Sequence, residues 1–451
     1  MTAIGDRIRA LPDRYGKATL ILLALILVLG LGLRAYRVAE PLATPGDDAR
    51  AYYALSKALY EEGSYGGPDF RDSSDWSPGA PLLYAASFYA TGGPREGVAR
   101  IVEALLGVAA IFVVFLLGRR LGGSAAGLIA AFGAAVYPPF IHSTGALMSE
   151  PPAIFTLPAA VLAFLWASEQ ERLRAWLLPG LLFGLTALIR PEYMAVGVAF
   201  ALLAALRIGV VRGWRPGLTG AVLLVAALLV PIIPWTVRNA VVLDRVVPIS
   251  TGGGKALYVG TYLPADGEYQ RVKALLVQRY LHRDLEPGSE ALDEVDPAPL
   301  FDRVARAGYP DLPRDSALGK IGKENLSKYL GEDPFGYAGM TARKVGRMWS
   351  SGVGEAMGST AGRAAQLLLV ALGLAGFALL ALRARWWDLV ALATPIALVT
   401  AVGAASLAAP RRNEVLMTLV FPLVGLALSS AAAAISSGRR WSPEQASSPP
   451  S

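Results

Sequence analysis

Long apolar runs alternate with short charged loops along most of the chain. Runs of about 18 or more apolar residues recur, and an α-helix of this length can cross the hydrocarbon core of a membrane. The pattern therefore predicts a mainly α, polytopic membrane protein with about 10–11 transmembrane helices. The runs lie near residues 18–36, 98–118, 124–141, 152–168, 175–189, 193–207, 217–236, 364–382, 388–408 and 415–436.

Glycine and proline divide these runs. Gly122-Gly123 predicts a turn between the second and third helices, and Pro138-Pro139 predicts a stop or kink in the third. A long polar segment with few aliphatic residues interrupts the pattern at 240–362. It opens on a strand-like run at 246–250 and becomes charged and helical in pattern after Pro264. We expect this segment to fold as a small domain that caps the membrane helices.

The chain thus divides into four predicted parts. They are a transmembrane module at 1–239 with a first outer loop at 37–97, an extracytoplasmic domain at 240–362, C-terminal transmembrane helices at 363–437, and a Ser/Pro-rich, disordered cytoplasmic tail at 438–451.

Composition narrows the class of protein. Hydrophobic residues make up 54% of the chain and charged residues 17%, against about 25% charged in soluble domains. The chain has no cysteine, which excludes disulfides and thiolate metal sites, and its two histidines leave little for a histidine-based metal centre. In a membrane protein a net charge of +7 is typical of basic cytoplasmic loops, so no nucleic-acid partner is predicted.

The basic residues also predict an orientation. Each predicted inner loop carries at least two arginines, in keeping with the positive-inside bias. The first helix follows basic residues and lacks a small-residue cleavage pattern, so we expect an uncleaved helix with a cytoplasmic N-terminus. The arginines are Arg7, Arg9 and Arg14 before the first helix, and Arg119, Arg120, Arg172, Arg174, Arg207, Arg212, Arg215, Arg383 and Arg385 in the inner loops.

With this orientation, seven charged residues lie at the outer face. They are Asp47, Asp48, Glu150, Arg190, Arg238, Arg411 and Arg412. Ionisable residues at membrane depth are costly and are candidates for function, although helix-end residues also meet lipid headgroups. Arginines suit a phosphate, and a nearby carboxylate can deprotonate a hydroxyl. The set predicts group transfer from a lipid phosphate to an alcohol, with Asp47 or Asp48 also capping a helix at 49–61.

Several motifs, in this order, resemble a known family. Asp48 is followed by Tyr52-Tyr53, Ala54 and Leu55, and then by Glu62-Gly63-Ser64-Tyr65. Later motifs are Ser77-Pro78-Gly79-Ala80-Pro81-Leu82-Leu83-Tyr84, Leu147-Met148-Ser149-Glu150-Pro151, Gly184-Leu185-Thr186-Ala187-Leu188-Ile189-Arg190-Pro191 and Pro234-Trp235-Thr236-Val237-Arg238-Asn239. The chain resembles bacterial polyprenyl-phosphate-dependent glycosyltransferases of the C-type (GT-C) superfamily, which includes protein O-mannosyltransferases (family 39) and the lipid A aminoarabinose transferase. The resemblance covers residues 40–265 and is looser beyond.

The resemblance implies inverting transfer of a sugar from a polyprenyl-phosphate donor to a hydroxyl of a glycan, lipid or protein acceptor, at the outer face of the inner membrane. An aspartate would be the base; tyrosine spacing favours Asp48, and Asp47 stays open. Arginines would bind the departing phosphate. Relatives often have Arg-Tyr where this chain has Arg411-Arg412, so both arginines are candidates for the phosphate contact. Some relatives bind a divalent cation, for which Asp48 and Glu150 offer oxygen ligands suited to Mg²⁺ or Mn²⁺.

Other features allow two interpretations. Tyr52 and Tyr53 suit stacking on a sugar ring, and equally the aromatic belt at a membrane surface. The run at 252–255, Gly-Gly-Gly-Lys, offers backbone N–H groups to a phosphate or is an ordinary turn.

Two other functions fit the same residues. A transporter or flippase for polyprenyl-linked glycans would use the arginines to bind the lipid phosphate during transit. Transporters, however, bind their substrate near the membrane midplane, whereas these residues lie at one face. A ligase that transfers a whole glycan differs from the first reading only in donor size.

Overall fold

The structure is a computed structural model that describes residues 16–40, 47–66 and 73–438, without the side chains of Asp47, Ser73 and Ser437. The basic residues before position 16 and the predicted tail from 439 onward lie outside the described residues. The helices are α1 Lys17–Ala39, α2 Asp47–Glu61, α3 Gly79–Thr91, α4 Glu96–Val136, α5 Pro138–Ser143, α6 Glu150–Ala167, α7 Leu177–Ile189, α8 Tyr193–Arg212, α9 Trp214–Leu243, α10 Gly253–Thr261, α11 Tyr269–Leu281, α12 Glu290–Asp293, α13 Ala298–Gly308, α14 Arg314–Glu332, α15 Pro334–Ser350, α16 Glu355–Gly358, α17 Thr360–Leu382, α18 Trp386–Ala405 and α19 Pro410–Gly438.

Eight of the described helices are long and apolar enough to cross a membrane. One of them, the 41-residue α4, breaks at Gly122 and Gly123, where Gly123 has φ 80°. Its two arms fold back on each other, since a Cβ on Gly118 would lie 2.9 Å from the Cβ of Ala130. With these arms counted separately and the shorter apolar α7 added, the described residues contain ten apolar segments. The prediction of a mainly α, multi-pass membrane protein is confirmed, and so is the turn at Gly122-Gly123.

Helix α19 lies at the centre of the membrane helices. Its residues 415–427 are buried, and Leu416, Leu419 and Leu423 are fully inaccessible to solvent. Glycine permits the close approach, because a Cβ on Gly425 would lie 2.2 Å from the carbonyl oxygen of Ala126 on α4. This packing fixes the N-terminal turn of α19, which carries Arg411 and Arg412.

Helices α6 and α7 run in opposite directions and bring two predicted site residues to the same end. Glu150 begins α6, and Arg190 follows the last residue of α7. Helix α7 packs tightly on α9, since Cβ atoms on Gly180 and Gly184 would lie 2.2 Å and 2.3 Å from backbone oxygens of α9.

The predicted inner arginines meet at the other end of these helices. Arg120 donates to Asp388 (2.8 Å) and to Glu169 (2.5 Å), and Arg385 donates to Asp388 (2.7 Å). Helix α6 joins the two ends, and its 18 residues span about 27 Å at 1.5 Å per residue. The arginine-rich loops and the candidate site therefore lie at opposite ends of the membrane helices.

Helices α10 to α14 form a cap with its own apolar core. Lys344 joins this cap to the membrane helices, because its buried ammonium donates to the carbonyl oxygens of Gly260 (2.7 Å) and Ala404 (2.9 Å). The core includes Tyr258, Val272, Leu276, Leu300, Phe301 and Leu318. A second link lies above the site, where Asp75 accepts a bond from Thr251 (2.7 Å) and pairs with Arg314 of α14.

The predicted strand at 246–250 is wrong. Helix α9 continues to Leu243, past the predicted boundary at 239, and its side chains take the carbonyl groups that a partner strand would need. The Trp235 indole donates to Ile249 O (2.9 Å), and the Asn239 amide donates to Val247 O (3.0 Å). No strand occurs in the parts of the chain that the structure describes.

Candidate active site

Four side chains at the ends of four helices form a continuous chain of ion pairs. Arg411 Nη1 lies 2.7 Å from Asp48 Oδ2, and Arg411 Nε lies 3.4 Å from Glu150 Oε1. The same Glu150 oxygen accepts from Arg190 Nη1 at 2.8 Å. Glu150 is 2% exposed, whereas the side chains of Asp48 and Arg411 are 38% and 45% exposed. The chain of charges thus runs from a buried anchor to an open end at Asp48.

Helix ends explain part of this arrangement. Asp48 and Glu150 lie in the first turns of α2 and α6, where the helix dipole favours a carboxylate. Arg411 lies in the first turn of α19, where the dipole disfavours a cation. Two carboxylates offset that cost, so Arg411 depends on Asp48 and Glu150 to hold its position.

A second layer of polar groups lies behind Arg190. Glu192 accepts from Arg190 Nε at 3.1 Å. Burial alone would raise the pKa of Glu192, but the guanidinium groups of Arg190 and Arg412 hold it below its ordinary value. Nearby, the buried Arg412 Nη1 and Tyr193 hydroxyl have no hydrogen-bond partner among the described residues. Two buried donors are therefore left with unused bonding capacity beside the ion-pair chain.

Asp48 lies in a largely cationic setting. Burial alone would raise the pKa of Asp48, but the Arg411 guanidinium, with Lys255 further away and a hydrogen bond from Trp76, lowers it. Tyr52 lies close by, buried between Asp48, Glu150 and Ser149. In this state Asp48 is ionised and is a weaker base than an isolated aspartate.

Two other predicted site residues make their contacts elsewhere. The Tyr53 hydroxyl donates to Pro94 O (2.9 Å), and its ring packs edge-on against Phe88. Arg238 donates to Tyr65 O (2.6 Å) and lies over the Trp235 ring at 5.0 Å. Tyr65 connects Arg238 to the site, since its hydroxyl donates to Trp76 O at 3.1 Å.

The glycine run at 252–255 is already bonded. The N–H groups of Gly254 and Lys255, which open α10, donate to Asp315 Oδ1 at 2.8 Å and 3.2 Å. The Asp315 carboxylate thus already accepts from the N–H groups that the sequence suggested for phosphate binding. A phosphate at this position would have to displace Asp315.

The predicted cation ligands do not fit a resident divalent ion. Arg411 lies between Asp48 and Glu150 and forms an ion pair with each. Its guanidinium fills the place that Mg²⁺ or Mn²⁺ would need, and its positive charge would repel the ion. No cluster of three or more metal-ligating side chains occurs in the described ranges.

Sequence reasoning missed three residues around the site. Glu192 and Tyr193 follow the Arg190-Pro191 motif directly, and Glu103 is a fully buried carboxylate in the first arm of α4. The signal for Glu103 was present, because an ionisable residue inside an apolar helix is a functional candidate by default.

Comparisons with known proteins support the resemblance. The family model described as dolichyl-phosphate-mannose-protein mannosyltransferase matches residues 75–235, which include Trp76, Glu150 and Arg190. No curated protein matches the chain at a significant level.

Similar solved structures include the oligosaccharyltransferase AglB from Archaeoglobus fulgidus in complex with an inhibitory peptide and a dolichol-phosphate. It has a TM-score of 0.54 and 16% identity, over 96% of this chain and 52% of that chain. An Archaeoglobus fulgidus oligosaccharyltransferase in complex with zinc and sulfate has a TM-score of 0.52 and 17% identity, over 93% of this chain and 50% of that chain. ArnT from Cupriavidus metallidurans bound to undecaprenyl phosphate has 15% identity over 94% and 81%, with a TM-score of 0.40 that is too low for an inference.

The fold and the site define a polytopic helical membrane protein with an acid and arginine centre at one end. The family match covers residues 75–235, and the similar oligosaccharyltransferase shares the overall fold of this chain. The chain spans about half the length of the oligosaccharyltransferase it matches.

Proposed function

We propose that the protein is an inverting glycosyltransferase. It moves a sugar from a polyprenyl-phosphate donor to an acceptor hydroxyl at the outer face of the inner membrane. The observation that carries this proposal is the contact between the exposed carboxylate of Asp48 and Arg411, which Glu150 joins to Arg190. A base and phosphate-binding cations thus lie within one connected group.

Asp48 accepts the proton of the acceptor hydroxyl. The acceptor oxygen attacks the anomeric carbon, the bond to the phosphate oxygen breaks, and the polyprenyl phosphate leaves with the electron pair. Because attack comes from the face opposite the phosphate, the anomeric configuration inverts. The negative charge that develops on the phosphate is stabilised by guanidinium groups already fixed in place.

The ion pair between Asp48 and Arg411 gives this reaction an order. With Arg411 at 2.7 Å, Asp48 is a weak base. A donor phosphate competes for the same guanidinium and adds negative charge beside Asp48. Both effects raise the basicity of Asp48, so the base becomes effective once the donor is bound.

The unused donor on Arg412 supports a phosphate role for that residue. Arg190 and Arg411 each already bond to carboxylates, whereas Arg412 Nη1 and the Tyr193 hydroxyl have no partner among the described residues. We assign Arg412 as the arginine that gains a bond when phosphate binds, with Arg411 exchanging Asp48 for the phosphate. The dolichol-phosphate in the similar oligosaccharyltransferase structure is consistent with this donor class.

The test is reconstitution of the purified full chain in liposomes with synthetic undecaprenyl-phosphate hexoses and pentoses. Membrane extracts provide the acceptors. We expect release of undecaprenyl phosphate together with a new glycoside of inverted anomeric configuration, read by mass spectrometry and NMR. Movement of intact donor across the bilayer without cleavage would instead support a transporter, and transfer of a multi-sugar glycan would support a ligase.

A further inference from the structure

A buried carboxylate, Glu103, holds the loop that leads into the site. Glu103 is 0% exposed, and its two oxygens accept from the backbone N–H groups of Gly145 (2.6 Å), Leu147 (3.4 Å) and Met148 (3.2 Å). The Tyr84 hydroxyl donates to Glu103 and lies 2.8 Å from Met148 O. One side chain thus accepts from three of the six residues of the loop at 144–149, which has no regular secondary structure.

The loop at 144–149 needs such support. Gly145 and Leu147 have φ values of 81° and 55°. Leucine in the left-handed region is strained, and a buried N–H without a partner is destabilising. Glu103 offsets both costs by accepting from three of the loop's N–H groups.

The loop ends directly at the site. Met148 donates its N–H to Glu103, and its carbonyl oxygen accepts from Tyr84. The next residue, Ser149, lies against Tyr52, and Glu150 then begins α6. Glu150 Oε1 must reach both Arg190 at 2.8 Å and Arg411 at 3.4 Å. A shift of the loop therefore changes both distances and releases Arg411 from one of its two carboxylates.

We propose that Glu103 is a positioning residue, which holds the loop at 144–149 so that Glu150 stays between Arg190 and Arg411. This inference rests on the proposed function for its effect on rate. Glu103 touches neither donor nor acceptor, and it acts only through the backbone of the loop.

The test compares Glu103→Gln with Asp388→Asn in the full-length protein. Glutamine keeps the shape but turns an amide N–H toward the loop's own N–H groups. Asp388 is the matched control, since it is a buried carboxylate that accepts from two arginines at the opposite end. A displacement near 1 Å at a catalytic centre costs up to about 100-fold in rate. We expect kcat to fall about 10–100-fold in Glu103→Gln, with the donor KM almost unchanged. Asp388→Asn should keep the wild-type kcat.

A second readout does not depend on turnover. Hydrogen–deuterium exchange of the peptide at 144–150 should become faster in Glu103→Gln and stay at the wild-type rate in Asp388→Asn. If Glu103→Gln does not fold, Tyr84→Phe provides the second variant, because it removes the hydroxyl that donates to Glu103. We expect the same changes in kcat and in loop exchange, with a smaller magnitude.

Wild-type kcat or wild-type loop exchange in Glu103→Gln would overturn the inference, and so would equal losses of kcat in both variants. If Asp48→Asn is inactive while Glu103→Gln is normal, the proposed function stands and only the positioning role is lost. If the wild type transfers no sugar, the proposed function fails, and the exchange measurement still decides whether Glu103 holds the loop.

Discussion

Arg411 Nη1 lies 2.7 Å from Asp48 Oδ2, across 363 positions of sequence. Both side chains are more than one third exposed, so the pair is open to a ligand. The proposed base and the proposed phosphate thus compete for one guanidinium. This competition would keep Asp48 weakly basic until a donor is bound.

The ion pair predicts a pH dependence. Arg411 holds the pKa of Asp48 below its ordinary value, so in the free wild-type enzyme the acidic limb of kcat/KM should lie below about pH 3.9, the ordinary pKa of an aspartate. Arg411→Gln removes the cation, so the limb should move to higher pH, although Lys255 still acts in the same direction. The measurement is the pH profile of kcat/KM in both proteins. Identical acidic limbs would show that Arg411 does not control the base.

Arg412→Ala should weaken binding of undecaprenyl phosphate. A charge-assisted hydrogen bond contributes about 1.5–3 kcal/mol, which corresponds to roughly 10–150-fold in Kd. Arg412→Lys should recover only part of this, because the planar guanidinium is lost. Arg207→Ala is the control, since Arg207 lies over Trp387 at 5.0 Å, among the predicted inner arginines. Equal affinities for wild type and Arg412→Ala would remove Arg412 from the phosphate site.

The absence of cysteine makes the orientation directly testable. Lys323→Cys lies in α14 of the cap, and Arg174→Cys lies in a predicted inner loop. A membrane-impermeant maleimide added to intact cells should label the first and leave the second unlabelled until the cells are lysed. The reverse pattern would place the candidate site on the cytoplasmic side and would contradict transfer at the outer face.

Much of this fold follows from the sequence because long apolar runs and their breakers are local signals. Gly122-Gly123 was predicted as a turn and is one. The sequence also predicts Glu150 and Arg190 at the same face of the membrane, and in the structure the two form an ion pair. The alternation of helix directions is enough to bring such residues to the same face.

Other features depend on packing that a single sequence does not reveal. Consecutive helical residues point about 100° apart, so the sequence cannot tell which arginine meets Asp48. In the part of the chain that the structure describes, Arg411 does so, and Arg412 Nη1 has no hydrogen-bond partner. The strand prediction at 246–250 failed because side chains of α9 bond to those carbonyls. The bonds from Glu103 to a loop some forty residues later are likewise a property of the fold.

Chelation should leave the activity unchanged. Arg411 lies between Asp48 and Glu150, the two proposed ligands, so no divalent ion is expected to be held there. Transfer assayed after treatment with EDTA should match the untreated rate. A loss that Mg²⁺ or Mn²⁺ restores would show that Arg411 moves away to admit a cation.

The central claim is that Asp48 is the base, and transfer by Asp48→Asn measures it most directly. Asparagine keeps the shape and one side-chain oxygen but cannot take the proton, so transfer should fall about 10²–10⁴-fold. Undecaprenyl phosphate binding and the thermal melt should be preserved. Asp47→Asn is the control and should cost much less, because neighbouring helical residues point about 100° apart. Near-normal transfer in Asp48→Asn, with Asp47→Asn inactive or equally active, would contradict the account.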